Sequence, residues 1–186
     1  MNDFYNKIRN GMDTGKSRLI VITGKAGTGK STAALSIANE VSNGTFPLDN
    51  IAITSFGEIE KLKCKVSPGN VYILDDIGVE GFDAKCDVKE YVNETLNAFD
   101  LPGVLLIVTV SEGSVIERLV SPLADIKMCM GKPNFSSDTL TAFVEVDIAK
   151  IPAEQMNGYM VKREKVGKEL VKSATKELIE CVESSE

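Results

Sequence analysis

The chain has 186 residues, 43% of them apolar and 26% charged, and a net charge of −6. That length suits one domain with a sizeable core, and the acidic balance excludes a surface that attracts nucleic acid over its whole extent. There is no histidine, and the four cysteines (Cys64, Cys86, Cys129, Cys181) lie far apart, which excludes a Cys/His zinc site and a disulfide framework.

No apolar run approaches the ~20 residues of a membrane span, and "MNDFYNKIRN" lacks the apolar core of a signal peptide. A cytoplasmic protein with reduced thiols and no membrane contact is expected.

In chain order, "SRLIVIT" (17–23) is a short apolar run rich in β-branched residues and predicts a buried strand. "KSTAALSIANEVSNG" (30–44) has apolar positions at 33, 34, 37, 38 and 41, a helical stripe closed by Gly44. "NIAITSF" (50–56) predicts a second strand, "GEIEKLKCKV" (57–66) a short helix and "VYIL" (71–74) a third strand. "DAKCDVKEYVNETLNAFD" (83–100) is an amphipathic helix, "VLLIVTV" (104–110) a fourth strand, "GSVIERLV" (113–120) a helix and "DIKMCM" (125–130) a fifth strand. "TLTAFVEVDIAKI" (139–151) alternates like a strand, and Asn157-Gly158 signals a hairpin turn into "YMVKREKV". A last helix is expected over 165–183, with Val166, Leu170, Ala174, Leu178 and Val182 on its apolar side.

Strand–helix alternation implies a mostly parallel sheet with helices on both faces. The expected architecture is therefore α/β: three layers around about five strands, with a C-terminal β-hairpin and helix, in one domain spanning 1–186. Its core would cover about 17–131 and the hairpin and helix about 139–183.

Between the first strand and its helix stands "GKAGTGKS" (24–31), which satisfies G-x(4)-G-K-[ST] through Gly24, Gly29, Lys30 and Ser31. At average residue usage the pattern arises by chance in roughly 1% of chains this long, and the strand–helix frame lowers that further. Its glycines let successive backbone N–H groups curl around an anion, and the helix N-terminus adds positive potential. Lys25, Ala26, Gly27, Thr28 and Thr32 complete the phosphate cradle. Lys30 would reach the β- and γ-phosphates of ATP, and Ser31 would ligate Mg²⁺.

A phosphate loop of this kind requires a carboxylate at the end of another strand to hold the metal. "VYILDDIG" (71–78) supplies Asp75. Asp76, directly after it, is the candidate acid that polarises the attacking water, with Glu80 in reserve and helix or turn capping as the plainer role. Asp-Asp-Ile-Gly also fits D-x-x-G of GTPases, but no N-K-x-D for guanine follows. In the other large division of such enzymes, an extra strand separates the phosphate-loop strand from the metal-binding strand.

With those residues in place, the chain resembles AAA+ ATPases of the DnaC/IstB type, which load helicases or assist transposases. The resemblance spans roughly 18–131 and rests on the phosphate loop, "AITSFGEIEKL", "VYILDDIG" and "VLLIVTVSEGSVIERLVSPL". It implies a sensor at the end of the fourth strand. The family commonly has Ser-Asn there, where this chain has Thr109-Val110-Ser111; Thr109 or Ser111 would orient water through a hydroxyl. It also implies an arginine that reaches a neighbouring subunit's γ-phosphate, but the corner here reads Ser121-Pro122-Leu123. Arg118, one helical turn earlier, is the candidate substitute. A helical lid of the usual size is not expected, so what the resemblance implies is a reduced relative, of the kind plasmids and viruses carry. The segment "DFYNKIRNG" stands where related ATPases contact adenine, so Tyr5 and Ile8 line either that pocket or the core.

The function implied is ATP hydrolysis that moves or remodels a partner in a DNA transaction such as replication, helicase loading, transposition or packaging. A protein partner or a homo-oligomer is expected, with DNA contact through Lys162, Arg163, Lys165, Lys168, Lys172 and Lys176 an option. A nucleotide or small-molecule kinase is the first alternative, weakened by a total of only four arginines. A slow nucleotide-binding switch is the second.

Overall fold

The structure is a computed structural model that describes residues 2–54, 56–78, 87–131 and 151–183. The chain forms two compact units, Met1–Ile151 and Pro152–Glu186. In the first, the elements are α1 (Asn2–Asp13), β1 (Arg18–Gly24), α2 (Lys30–Val41), β2 (Ile51–Ile53), α3 (Phe56–Lys63), β3 (Val71–Ile77), α4 (Val88–Phe99), β4 (Leu105–Ser111), α5 (Val115–Val120) and β5 (Ile126–Met130). The second holds α6 (Ala153–Glu183).

The five strands are all parallel, in the order β2-β3-β4-β1-β5. The α/β expectation holds, and so does the intervening strand: β4 lies between β1, which leads into the Gly-rich loop, and β3, which ends in the aspartates. Because β1 connects outward to β2 while β4 crosses over β1 to β5, right-handed crossovers put α2 on one face and α3, α4 and α5 on the other. The packing agrees, with α1 against α2 and α3, α4 and α5 in series.

Strand alternation sorts the core onto these faces. Tyr72, Leu74, Leu106, Val108 and Val110 pack with residues of α3, α4 and α5, including Leu62, Tyr91, Phe99 and Ile116. Tyr72 and Phe99 meet edge to face at 5.4 Å. The opposite face carries Ile20, Ile22, Ile73 and Ile107, all buried, toward α2. Ala33, Ala34 and Ala38 of α2 are buried as well, and their small side chains let a helix lie close to a sheet. Each large aliphatic group buried here is worth about 1.5–3 kcal/mol.

Tyr5 and Ile8 of α1 are core residues. One turn on, Arg9 donates to the carbonyls of Glu40 and Val41. Those carbonyls close α2 at the end away from the Gly-rich loop, so the core reading of Tyr5 and Ile8 is the one the packing supports.

The expected hairpin is corrected. Asn157, Gly158 and the whole of "YMVKREKV" lie inside α6, while residues 139–150 fall outside the described residues. Helix-favouring side chains outweigh the Asn-Gly turn signal, since one glycine inside a helix costs only about 1 kcal/mol. Pro152 starts the helix by accepting from the N–H groups of Gln155 and Met156 at 3.0 and 3.1 Å. Arg163 then bonds to the Tyr159 hydroxyl at 3.0 Å, and Lys168 pairs with Glu164 at 2.6 Å. Among the described residues, no helix is long and apolar enough to cross a membrane.

Candidate active site

In a parallel sheet, all strands end at the same edge, and ligands bind where connections leave in opposite directions. Here that place is the carboxyl end of β1. Gly24 pairs with Ser111 of β4 on one side and Met130 of β5 on the other. A side chain on Gly24 would lie 2.8 Å from the Met130 carbonyl and 2.8 Å from the Thr28 hydroxyl, so only glycine fits.

Lys25, Ala26 and Gly27 form the exposed crest of the loop, and Thr28 and Gly29 descend half-buried into α2. Gly29, in the left-handed conformation (φ 88°), is the residue before the first turn. The turn is held by the Thr28 hydroxyl, which donates to the Lys25 carbonyl at 2.8 Å. Lys30 is buried, and its ammonium donates to that same carbonyl at 3.1 Å. The cation is thus folded back over the loop rather than extended into solvent. Ser31 and Thr32 follow in the first turn, both half-buried.

The two aspartates sit in a β-bulge. Leu74 pairs with Val108 and Ile77 with Val110, so Asp75 and Asp76 together stand opposite Thr109. The Thr109 hydroxyl donates to Asp75 Oδ1 at 2.7 Å and accepts from the Asp76 N–H at 2.7 Å. A hydroxyl has one proton, and an ionised carboxylate can only accept, which fixes the direction of both bonds. Thr109 therefore supplies the partner that the bulged amide would otherwise lack.

Asp75 is 0% exposed. Alternation turns it, with Ile73, to the α2 face of the sheet. Buried carboxylates are rare and costly unless they have partners. Asp76 is half-buried in the left-handed region (φ 55°). Next to it, Thr54 at the end of β2 also has a left-handed backbone (φ 53°), and its N–H donates to the Asp75 carbonyl at 2.8 Å. A β-branched residue in that region is a true outlier. No sequence signal marks Thr54.

Ser111 is exposed at the end of β4. Beyond it, Arg118 of α5 is exposed and donates to the Gly113 carbonyl at 3.1 Å. Glu117 accepts from the Gly113 N–H at 2.7 Å and from Lys127 of β5 at 3.0 Å. Burial raises the Glu117 pKa, but the Gly113 amide and the Lys127 ammonium outweigh it and hold the carboxyl below its ordinary value. Burial pushes the nearby Cys129 thiol up, against the pull of Lys127.

The sheet thus brings the Gly-rich loop, Lys30, Asp75, Asp76, Thr109 and Ser111 to one edge. Arg118 is at the same edge on α5, turned to its own loop. Glu80 lies outside the described residues. Sequence reasoning missed the bulge, the strained Thr54 and the Glu117–Lys127 pair. Among the described residues, no group of three or more His, Cys, Asp or Glu side chains could hold a metal alone. A divalent ion here would rest on Asp75 and Ser31 together with phosphate oxygens, the sparse protein share usual for Mg²⁺.

No known family model matches the chain, and no curated protein is significantly similar to it.

Proposed function

We propose that the chain binds ATP with Mg²⁺ and hydrolyses it, and that hydrolysis drives the movement or remodelling of a partner in a DNA transaction. One observation carries the reading. A glycine-dependent loop that opens a helix and a fully buried aspartate on that helix's face lie at the same sheet edge, with one strand between their own strands. The loop amides and the N-terminus of α2 favour the triphosphate. Lys30 has a loop carbonyl to exchange for phosphate oxygens. When bound, Mg²⁺ would neutralise charge on the phosphate oxygens. Asp75 and Ser31 would hold it, and Asp76 would polarise water. Adenine is preferred to guanine because N-K-x-D is missing.

The arginines favour slow basal turnover. Arg9 bonds to the carbonyls at the far end of α2, and Arg18 pairs with Asp125 at 3.4 Å at the amino end of β1. Arg118 is held on Gly113, and Arg163 belongs to α6. A kinase would need several arginines around the transferred phosphoryl group. For an ATPase, this scarcity means that a partner or a second copy completes the site, and a slow switch remains the second reading.

The test is ATP turnover by the purified chain, alone and with single- or double-stranded DNA. Stimulation by DNA supports the DNA transaction. Slow turnover that DNA leaves flat supports the switch, and phosphoryl transfer to a small acceptor would replace both with a kinase.

A further inference from the structure

The Gly-rich loop has unlike neighbours on its two sides. On one side stand β4 and then β3, which carries Asp75. On the other side stands β5. A triphosphate whose last phosphoryl group lies toward Asp75 runs across the carboxyl end of β1, so its nucleoside leaves on the β5 side. This step rests on the reading of the loop as a nucleotide site.

Strand β5 ends in Met130, and Gly131 follows. Ile20 pairs with Ile126, Ile22 with Met128 and Gly24 with Met130. Residues paired in register turn their side chains to the same face of a sheet. Met130 therefore shares the α2 face with Ile20, Ile22 and Asp75, whereas Lys127 turns to the other face and meets Glu117. Met128 is buried in the core, but Met130 is only half-buried. Its side chain lies along the loop. A Cβ on Gly24 would stand 3.0 Å from the Met130 Cβ, and one on Gly29 would stand 4.0 Å from the Met130 methyl. The Thr28 hydroxyl is taken up by the Lys25 carbonyl. The Thr28 methyl lies 3.6 Å from the place of a Cβ on Gly131, which is left-handed (φ 86°). The β5 side of the loop is thus a lip made of a thioether, a methyl group and a glycine.

We infer that this lip seats the base of the nucleotide, with Met130 lying against the ring. A thioether is polarisable and flexible, and its contacts with aromatic rings are favourable. Such contact grows with ring area, so a purine gains more from it than a pyrimidine. Tyr5 and Ile8 do not compete for the role, since both are buried and α1 bonds to the end of α2 away from the loop. Met130 is thereby a specificity-determining residue for the proposed reaction, and the substrate class is a purine nucleoside triphosphate.

Calorimetric titration with ATP, CTP and inorganic tripolyphosphate, each with Mg²⁺, tests the assignment on the wild-type chain, Met130→Ala and Met130→Leu. Circular dichroism checks the fold of each variant. The wild-type chain should bind ATP more tightly than CTP, and both more tightly than tripolyphosphate. Met130→Ala should weaken ATP about fivefold, bring ATP and CTP close together and leave tripolyphosphate unchanged. Met130→Leu, which keeps an apolar surface of similar size, should retain most of the preference for ATP. Equal weakening of ATP and tripolyphosphate in Met130→Ala would overturn the inference, because Met130 would then only shape the loop. Unchanged ATP binding in that variant would overturn it too, and would place the base elsewhere. A wild-type chain that binds tripolyphosphate as tightly as ATP would remove the base seat and leave the phosphate loop standing. A wild-type chain that binds neither would remove the nucleotide reading, and this inference with it.

Discussion

The two edges of the sheet are built differently. At the amino edge, polar groups bond to one another and to backbone: Asp125 accepts from the Leu19 N–H at 2.8 Å and pairs with Arg18, and Ser17 bonds to Asp100. Left-handed positions in the turns there fall on glycines, including Gly15, Gly69 and Gly103, and on Asn43, a residue type that tolerates this region. At the carboxyl edge, left-handed backbone falls on Thr54 and Asp76 as well as on the loop glycines. Strain of this kind costs of order 1–3 kcal/mol per residue and persists only where the surroundings impose it. One edge is organised to hold the fold, the other to hold particular groups in place against local preference.

The largest effects should come from the aspartates. Asp75→Asn should weaken the Mg²⁺ dependence of nucleotide binding, whereas Asp76→Asn should leave binding intact and lower turnover by about 10²–10⁴-fold, the usual worth of a positioned acid or base. Titration with and without Mg²⁺, beside steady-state turnover, separates the two. If Asp76→Asn turns over normally and Glu80→Gln does not, the water-polarising acid is Glu80.

Next in size is Thr109→Val. It leaves a buried carboxylate and a bulge amide each short of a partner, so a loss of about 1–3 kcal/mol is expected in chemical denaturation. Thr109→Ser should recover most of it. Equal losses in both variants would mean that the methyl group, and not the hydroxyl, holds the bulge.

Much of this was legible in the sequence. Runs such as "LIVIT" and "VLLIVTV" are long, β-branched and bounded by turn residues, so strands and their order along the chain follow from local pattern. The Gly-Lys-Ser spacing marked the loop for the same reason, because its geometry is set within eight residues. The bulge was not legible. An aspartate after a strand reads equally as a cap or a ligand, and only the pairing of β3 with β4 makes Asp76 left-handed. Asn157-Gly158 misled because a two-residue turn signal is local, while the helix around it draws on many side chains.

A smaller effect sharpens the contrast between the edges. Thr54→Gly should raise stability by about 1 kcal/mol by relieving a strained backbone, and turnover should fall as the Asp75 segment loosens. A stabilised variant with full activity would mean that the strain serves nothing.

The smallest effect concerns pH. Glu117 has a lowered pKa in the fold, so its contribution is present above the ordinary value of 4.5 and is lost as pH falls below it. Glu117→Gln should therefore flatten the acid limb of stability against pH and leave neutral turnover little changed.

The most direct measurement is ATP·Mg²⁺ binding to the wild-type chain and to Lys30→Ala, with folding checked by circular dichroism. Saturable, Mg²⁺-dependent binding that vanishes in the variant while the fold survives is expected, because the lost charge is local and the backbone loop remains. Normal affinity in Lys30→Ala, or no binding by the wild-type chain, would contradict the assignment of the loop as a nucleotide site.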